Sequence, residues 1–242
     1  FKELERLSKF RWDKIKEIKK VPYDKNYVYD LTIEENKTFL AGHGGLFVHN
    51  SNLMSTMLWN LIDKDYCGIL ILDPHDEYYG RNKPGLKDHK DNEKVIYYTT
   101  KAPPPGTKTL KINLRTIKPF HFNGVVDFSD PQKQALNMYY KEFSNKWIEA
   151  IILERKPQTT VFRDDTLAVI KRQLLYLLDL DFTNNQLSCK GLFDMQAGES
   201  TISDIISELE KSNTVVIDTS NFAGSVEILV GSIITTELLR KY

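Results

Sequence analysis

The chain is 242 residues long, with 33 basic side chains against 33 acidic ones and a 41% hydrophobic share. That is room for one or two domains at an ordinary folded composition. The formal net charge of zero argues neither for nor against nucleic acid, and no apolar run is long enough to span a bilayer. No signal peptide is legible and the chain opens on Phe1, so an internal fragment of a cytoplasmic protein is expected. Cys67 and Cys189 lack metal-ligand spacing and are expected as buried thiols of a reducing compartment.

In chain order, Phe1, Leu4, Leu7 and Phe10 recur every third residue and read as the end of an amphipathic helix. Trp12 to Ile15 and Ile18 to Tyr23 read as a strand. Tyr27 to Ile33 alternates as a strand does. Phe39 to Gly42 follows, then a Gly44-Gly45 turn signal. Leu46-Phe47-Val48 is a short apolar strand that delivers His49 and Asn50 to a surface. His43 reads as a polar turn residue. Ser51 to Ile62 is a helix with Leu53, Met54, Met57, Leu58, Leu61 and Ile62 on one face.

Gly68 to Asp73 is a continuous apolar run ending in an acid, which suits a strand buried on both faces of a parallel sheet. Lys94 to Tyr98 and Thr109 to Leu114 read as strands, with a turn at Pro103 to Gly106. Pro131 to Glu154 reads as one long helix. Thr166 to Leu178 is a second, with Leu167, Ile170, Leu174 and Leu178 in register. Thr201 to Leu209 opens on a Thr201-x-x-Asp204 cap signature. Thr214 to Asp218 is another buried strand ending in an acid, and Ser225 to Arg240 a last apolar helix. Helix followed by buried strand is half of a βαβ unit.

His49-Asn50-Ser51 joins three groups with linked chemistry. An Asn amide can attack its own main-chain carbonyl, closing a succinimide and breaking the next peptide bond. The reaction is slow in a free peptide, and holding the atoms together removes part of the entropic barrier. An adjacent imidazole can supply a proton to the leaving side. A hydroxyl just after the Asn offers a nucleophile for acyl transfer. By itself the tripeptide usually marks only a loop. Its context changes this: Val28 to Phe39, then Gly45 to Asn50 followed by Ser51, resembles the C-terminal splicing region of an intein, a self-excising insert.

The resemblance implies that residues 1–50 are the β-rich C-terminal part of a Hint-type splicing domain. Asn50 would cyclise, His49 would assist it, and Ser51 would be the first host residue and receive the upstream segment as an ester. Asp30 would couple the two junction reactions. Splicing needs no cofactor, and its partners would be the upstream intein half and the N-terminal host segment. Many inteins carry His-Asn before the Phe of the first block; here Lys37-Thr38 precede Phe39, a departure that puts any auxiliary His, and not the central three residues, in doubt.

A phosphate-binding loop reads Gly-x-x-x-x-Gly-Lys-Ser/Thr, and its hydroxyl ligates Mg²⁺. An insert lodged between that Lys and Ser would leave Ser51 as the first host residue. Asp73-Pro74-His75-Asp76-Glu77-Tyr78 resembles the Asp-Pro-His-Gly-Glu-Tyr motif of HerA-type ATPases in the FtsK–HerA group, with Asp76 at the usual Gly. The fold this implies for 51–242 is an α/β P-loop ATPase domain fragment with a helical insertion at roughly 130–182. The implied ligands are ATP and Mg²⁺, held by Ser51, Asp73 and Glu77. The implied partners are double-stranded DNA, other subunits of a homo-hexamer and a NurA-type nuclease, in DNA repair.

On the same resemblance Asp218 is a sheet-edge structural or accessory acid, and the acidic pair of the catalytic strand is expected beyond Tyr242. Lys83, Lys87, Lys90, Lys94, Lys101, Lys108 and Lys111 are interleaved with acids and read as a solvated surface. Taken alone, the 242 residues are expected neither to splice nor to hydrolyse ATP. Two other readings stay open: a conjugation or type IV secretion ATPase as host, and a non-splicing β module at 1–50.

Overall fold

The computed structural model describes residues 38–41, 46–158, 162–184 and 186–241. The amphipathic segment at Phe1 to Phe10, the strands expected between Trp12 and Ile33, Asp30 and His43 lie outside them. The chain divides into two compact units, Phe1–Asn50 and Ser51–Tyr242.

In the first unit, β1 (Thr38–Ala41) and β2 (Leu46–His49) form an antiparallel pair with Thr38 opposite His49. Helix α1 (Asn50–Leu61) opens the path into the second unit. There a parallel four-stranded sheet is built from β3 (Ile69–Asp73), β4 (Val95–Thr99), β5 (Lys108–Thr109) and β10 (Thr214–Asp218), in the order β3-β10-β4-β5. The continuous apolar runs of β3 and β10 are explained by this placement: strand side chains alternate between faces, and both faces here are covered.

Val215 and Ile217 of β10 join Leu70, Leu72, Ile96 and Tyr98 in a large core that includes most of the helices. Val216, one residue out of phase, meets Ile71, Val95, Tyr97 and the α1 residues Leu58 and Ile62 on the opposite face. Val215, Val216 and Ile217 have no exposed surface, and each such burial stabilises by roughly 1.5–3 kcal/mol. The α1 stripe is only half used: Leu58 and Ile62 are buried while Met54 and Met57 stay exposed.

On the larger core lie α5 (Thr201–Glu210) and α6 (Gly224–Lys241). Helix α5 buries Ile202, Ile205, Ile206 and Leu209, one face at 3.6-residue spacing. The expected cap moves by one residue: Thr201 is the first helical residue and is buried, and Ser200 Oγ instead donates to Asp204 Oδ2 at 2.9 Å. The expected 131–154 helix is two helices, α2 (Asp130–Phe143) and α3 (Trp147–Ile152), broken where Ser144 adopts φ 50°. The break lets Trp147 turn inward, fully buried, with its Nε1 donating to the Ile117 carbonyl at 2.9 Å.

Helix α4 (Asp164–Leu177) buries Ile170, Leu174 and Leu177 as its period requires. The helical stretch ends there. Leu180–Thr183 and Gln186–Cys189 form an antiparallel hairpin, β7 and β8, which the sequence reading left out. The expected strand at 109–114 is also split: β6 (Ile112–Asn113) leaves the main sheet to pair with β9 (Phe193–Asp194). The cysteines differ from expectation. Cys67 is exposed; Cys189 is half-buried, and burial pushes its thiol up to about 11.

Gly68 enters β3 against the end of α5, where a Cβ would lie 2.1 Å from the Leu209 carbonyl oxygen. Neither backbone can yield without moving the sheet or the helix. Gly68→Ala is expected to destabilise the second unit by about 3 kcal/mol, read as a lower urea midpoint with an unchanged slope.

Candidate functional site

In an open parallel sheet, ligands bind beyond the carboxyl ends of the strands. Here β3 and β10 end in acids that are direct neighbours across the ladder, Asp73 and Asp218. Both side chains are buried, at 0% and 2% exposed. Each is held differently.

Asp73 serves its own loop. Its Oδ1 accepts the backbone N–H of His75 at 3.3 Å and of Glu77 at 3.1 Å, and its Oδ2 accepts that of Tyr78 at 2.9 Å. Three backbone donors that would otherwise be stranded above the strand are satisfied by one carboxylate. The sequence expectation made Asp73 a direct nucleotide or Mg²⁺ ligand. The structure shows its oxygens accepting three N–H groups of the loop, contacts that shape the turn.

Asp76 stands in that turn at φ 53°. This is the left-handed region that glycine enters freely and Asp tolerates better than most residues. The departure from the motif's Gly is thereby accommodated. Asp76 Oδ1 accepts the Tyr97 hydroxyl at 2.8 Å, and Oδ2 meets Lys101 Nζ at 3.2 Å. Glu77, next in the chain, is part-buried. Among the described residues its carboxylate makes no hydrogen bond or ion pair.

Asp218 gathers the second cluster. It accepts from Thr99 Oγ1 at 2.8 Å, from Ser220 N at 3.1 Å and from Ser220 Oγ at 2.5 Å, and pairs with Lys101 at 3.1 Å. Burial alone would raise its pKa; the Ser220, Thr99 and Lys101 hydrogen bonds outweigh that and hold it below the ordinary 3.8. A depressed carboxylate stabilises the fold above the unfolded value, and that stabilisation is lost as pH falls through the folded one. Burial would likewise lower Lys101, but Asp218 and Asp76 raise it. Tyr97 is raised too, first by burial and then by Asp76, so its phenol stays protonated.

Two expectations are corrected here. Asp218 was placed at a sheet edge, yet β10 runs between β3 and β4. Lys101 was grouped with solvated lysines, yet its ammonium is paired with two acids that are themselves largely buried, Asp76 and Asp218. Others in that group are paired at the surface, as Lys94 is with Asp65 and Lys108 with Glu208. Sequence reasoning missed Tyr97, Thr99 and Ser220. The signal for Thr99 and Lys101 was their position just past the apolar run of β4, at the same carboxyl edge.

Ser51 is the second residue of α1. Helix α1 returns to the start of β3 through residues 62–68 and packs on the sheet through Leu58 and Ile62. His49 closes β2 and Asn50 opens α1, while Asp30 lies outside the described residues.

Among the described residues no three His, Cys, Asp or Glu converge as a metal cage. A cleft of about 780 Å³ lies elsewhere, lined by residues that include Tyr139, Leu167, Arg172 and Tyr176. Its acid Glu154 is already paired with Lys171 at 2.6 Å, so the chemistry points to the strand ends.

A 39-residue stretch, 16% of the chain, is 59% identical to a DNA polymerase of Thermococcus hydrothermalis, of which it covers 2%. Over the same length it is 49% identical to a DNA polymerase of Thermococcus litoralis, again covering 2%. The chain thus spans only about 2% of the length of these curated relatives. Residues 51–241, well over half of the chain, match the family described as helicase HerA, central domain. The paired acids at the carboxyl edge of a parallel sheet belong, then, to a member of the HerA central-domain family.

Proposed function

We propose that residues 51–242 are the central part of an ATP-hydrolysing DNA motor whose nucleotide phosphates sit over the carboxyl edge of β3 and β10. The observation that carries this is Glu77: a part-buried carboxylate without a partner among the described residues, beside two acids that are engaged. Asp73 holds the loop so that Glu77 stands above the strand end. Glu77 and the hydroxyl of Ser51 would hold Mg²⁺, which when bound neutralises charge on the phosphates. Asp218 and Lys101 keep the neighbouring loop in place. On this reading the motor works in the cytoplasm as a homo-hexamer on double-stranded DNA, with a NurA-type nuclease as partner. No helix among the described residues is long and apolar enough to cross a membrane.

The test is Glu77→Gln in the full-length protein. It keeps size and removes the charge. DNA-stimulated ATP turnover is expected to fall about a hundredfold with the fold intact; unchanged turnover would overturn the reading.

A second reading concerns residues 1–50: that they are the C-terminal part of an intein and that the Asn50–Ser51 bond is its downstream junction. Two observations support it. The HerA match starts at Ser51, the residue after Asn50. A short stretch shared with DNA polymerases, a small fraction of their length, is what an insert lodged in different hosts leaves behind. Asn50 Nδ2 would attack its own carbonyl carbon, the C–N bond to Ser51 would break, and the amine would leave with a proton routed through His49. Intact mass tests this on the chain supplied with its upstream half. Release of a segment ending at Asn50, lighter by one water than the same segment ending in free Asn, is expected; a chain that stays whole would sink it.

A further inference from the structure

We propose that Lys101 is a positioning residue: its ammonium ties the loop after β3 to the end of β10 and thereby sets where the Glu77 carboxylate stands. This deepens the nucleotide-site reading and rests on it.

The donor count makes the case. A lysine ammonium has three donors. Lys101 Nζ has three acceptors at hand: Asp76 Oδ2 at 3.2 Å, the Asp218 carboxylate at 3.1 Å and Ser220 Oγ at 2.6 Å. Lys101 is thus spent within the protein and is not a free cation for a phosphate. What it joins are two loops from different strands, one after β3 and one after β10.

The β3 loop is fastened at several points, and Lys101 and Tyr97 supply long-range ones. Asp73 holds the N–H groups of His75, Glu77 and Tyr78 from inside the loop. The Tyr79 ring stacks on Tyr97 with centroids 4.0 Å apart. Asp76 is caught from outside by the Tyr97 hydroxyl and by Lys101. Its φ of 53° is a left-handed conformation that Asp tolerates and that these contacts help to hold. Without Lys101, Asp76 and the buried Asp218 face each other with no cation between them, and the favoured response is for the Asp76 turn to swing out. Glu77 is its covalent neighbour and moves with it. A shift of about 1 Å at a positioned group can cost up to a hundredfold in rate.

The experiment uses Lys101→Met, Lys101→Arg and Tyr97→Phe in the full-length protein, with Glu77→Gln in parallel. Two readouts are taken: hydrogen exchange of the backbone amides of residues 75–78, and kcat and KM for ATP. For Lys101→Met, exchange at Asp76 and Glu77 is expected to quicken by about tenfold while the β3 and β10 amides keep their rates. Its kcat is expected to fall about tenfold, with KM within about twofold, because the carboxylate proposed to hold Mg²⁺ is misplaced and not removed. Lys101→Arg should restore most of both. Tyr97→Phe removes the other anchor of Asp76 and keeps the ring stack; it should move both readouts the same way by less.

Faster exchange throughout the sheet would make Lys101 a general fold element and overturn the proposal, as would unchanged exchange at 75–78. Loss of turnover in Glu77→Gln with none in Lys101→Met would remove the positioning role and leave the nucleotide site standing. Silence in Glu77→Gln would remove both.

Discussion

A chain carrying Asn50→Ala is expected to stay whole under conditions in which the parent chain, given its upstream half, is expected to separate after residue 50. The size of this effect follows from the chemistry. Succinimide closure uses the Asn50 side-chain nitrogen as nucleophile, and alanine has none. The remaining route to cleavage is hydrolysis of an ordinary peptide bond. Well-oriented intramolecular attack is worth an effective concentration of roughly 10⁵–10⁸ M, so the released product should drop below detection. His49→Ala keeps the nucleophile and loses the proton donor; a slowing of about a hundredfold is expected. Ser51→Ala should block transfer of the upstream segment and leave cleavage after Asn50 in place. Intact mass over time separates the three. Equal cleavage in Asn50→Ala and parent would end the intein reading and leave 1–50 as a β module.

Asp73→Ala should destabilise the second unit by about 4 kcal/mol. Three backbone N–H groups, those of His75, Glu77 and Tyr78, lose a charged acceptor together. Hydrogen bonds to charged groups contribute about 1.5–3 kcal/mol each, and a stranded buried donor costs about 1–3 kcal/mol. The sum is discounted because the loop can open to water once its anchor is gone. Asp73→Asn keeps one accepting oxygen in place of two and should fall between. Equilibrium urea unfolding gives the number. A loss under about 1 kcal/mol would mean that water already reaches these amides, and that Asp73 is available to a ligand after all.

The two substitutions probe chemistry of different legibility. His49-Asn50-Ser51 is three consecutive residues, so its reactive groups are visible in the sequence without knowing any long-range contact. Asp73 was visible as an acid at the end of an apolar run, and its address at a strand's carboxyl end followed from that. Its role did not. Whether a strand-end acid faces a ligand or caps its own loop depends on where the next five residues turn, and here they fold back onto it.

The Lys101 cluster was hidden for another reason. Lys101, Asp76, Asp218 and Ser220 are scattered along the chain and meet only because β10 inserts between β3 and β4. Composition read Lys101 as one more lysine among acids, which is right for Lys94 and Lys108 and wrong for the one at the carboxyl edge.

Local pattern was enough wherever a single element decided its own state. Apolar runs of strand length became β3, β4 and β10, and helical spacing became α1, α4, α5 and α6. Those periods are set by backbone geometry and by which side must be covered, and both are written along the chain. Tertiary structure decided what local pattern leaves open. It broke the 131–154 helix at Ser144 so that Trp147 could reach the Ile117 carbonyl. It also set the order of the strands and decided which acids are engaged inside the protein. Those outcomes depend on contacts between residues far apart in sequence, where the free energy of burying and pairing a group is fixed by its neighbours and not by its own identity.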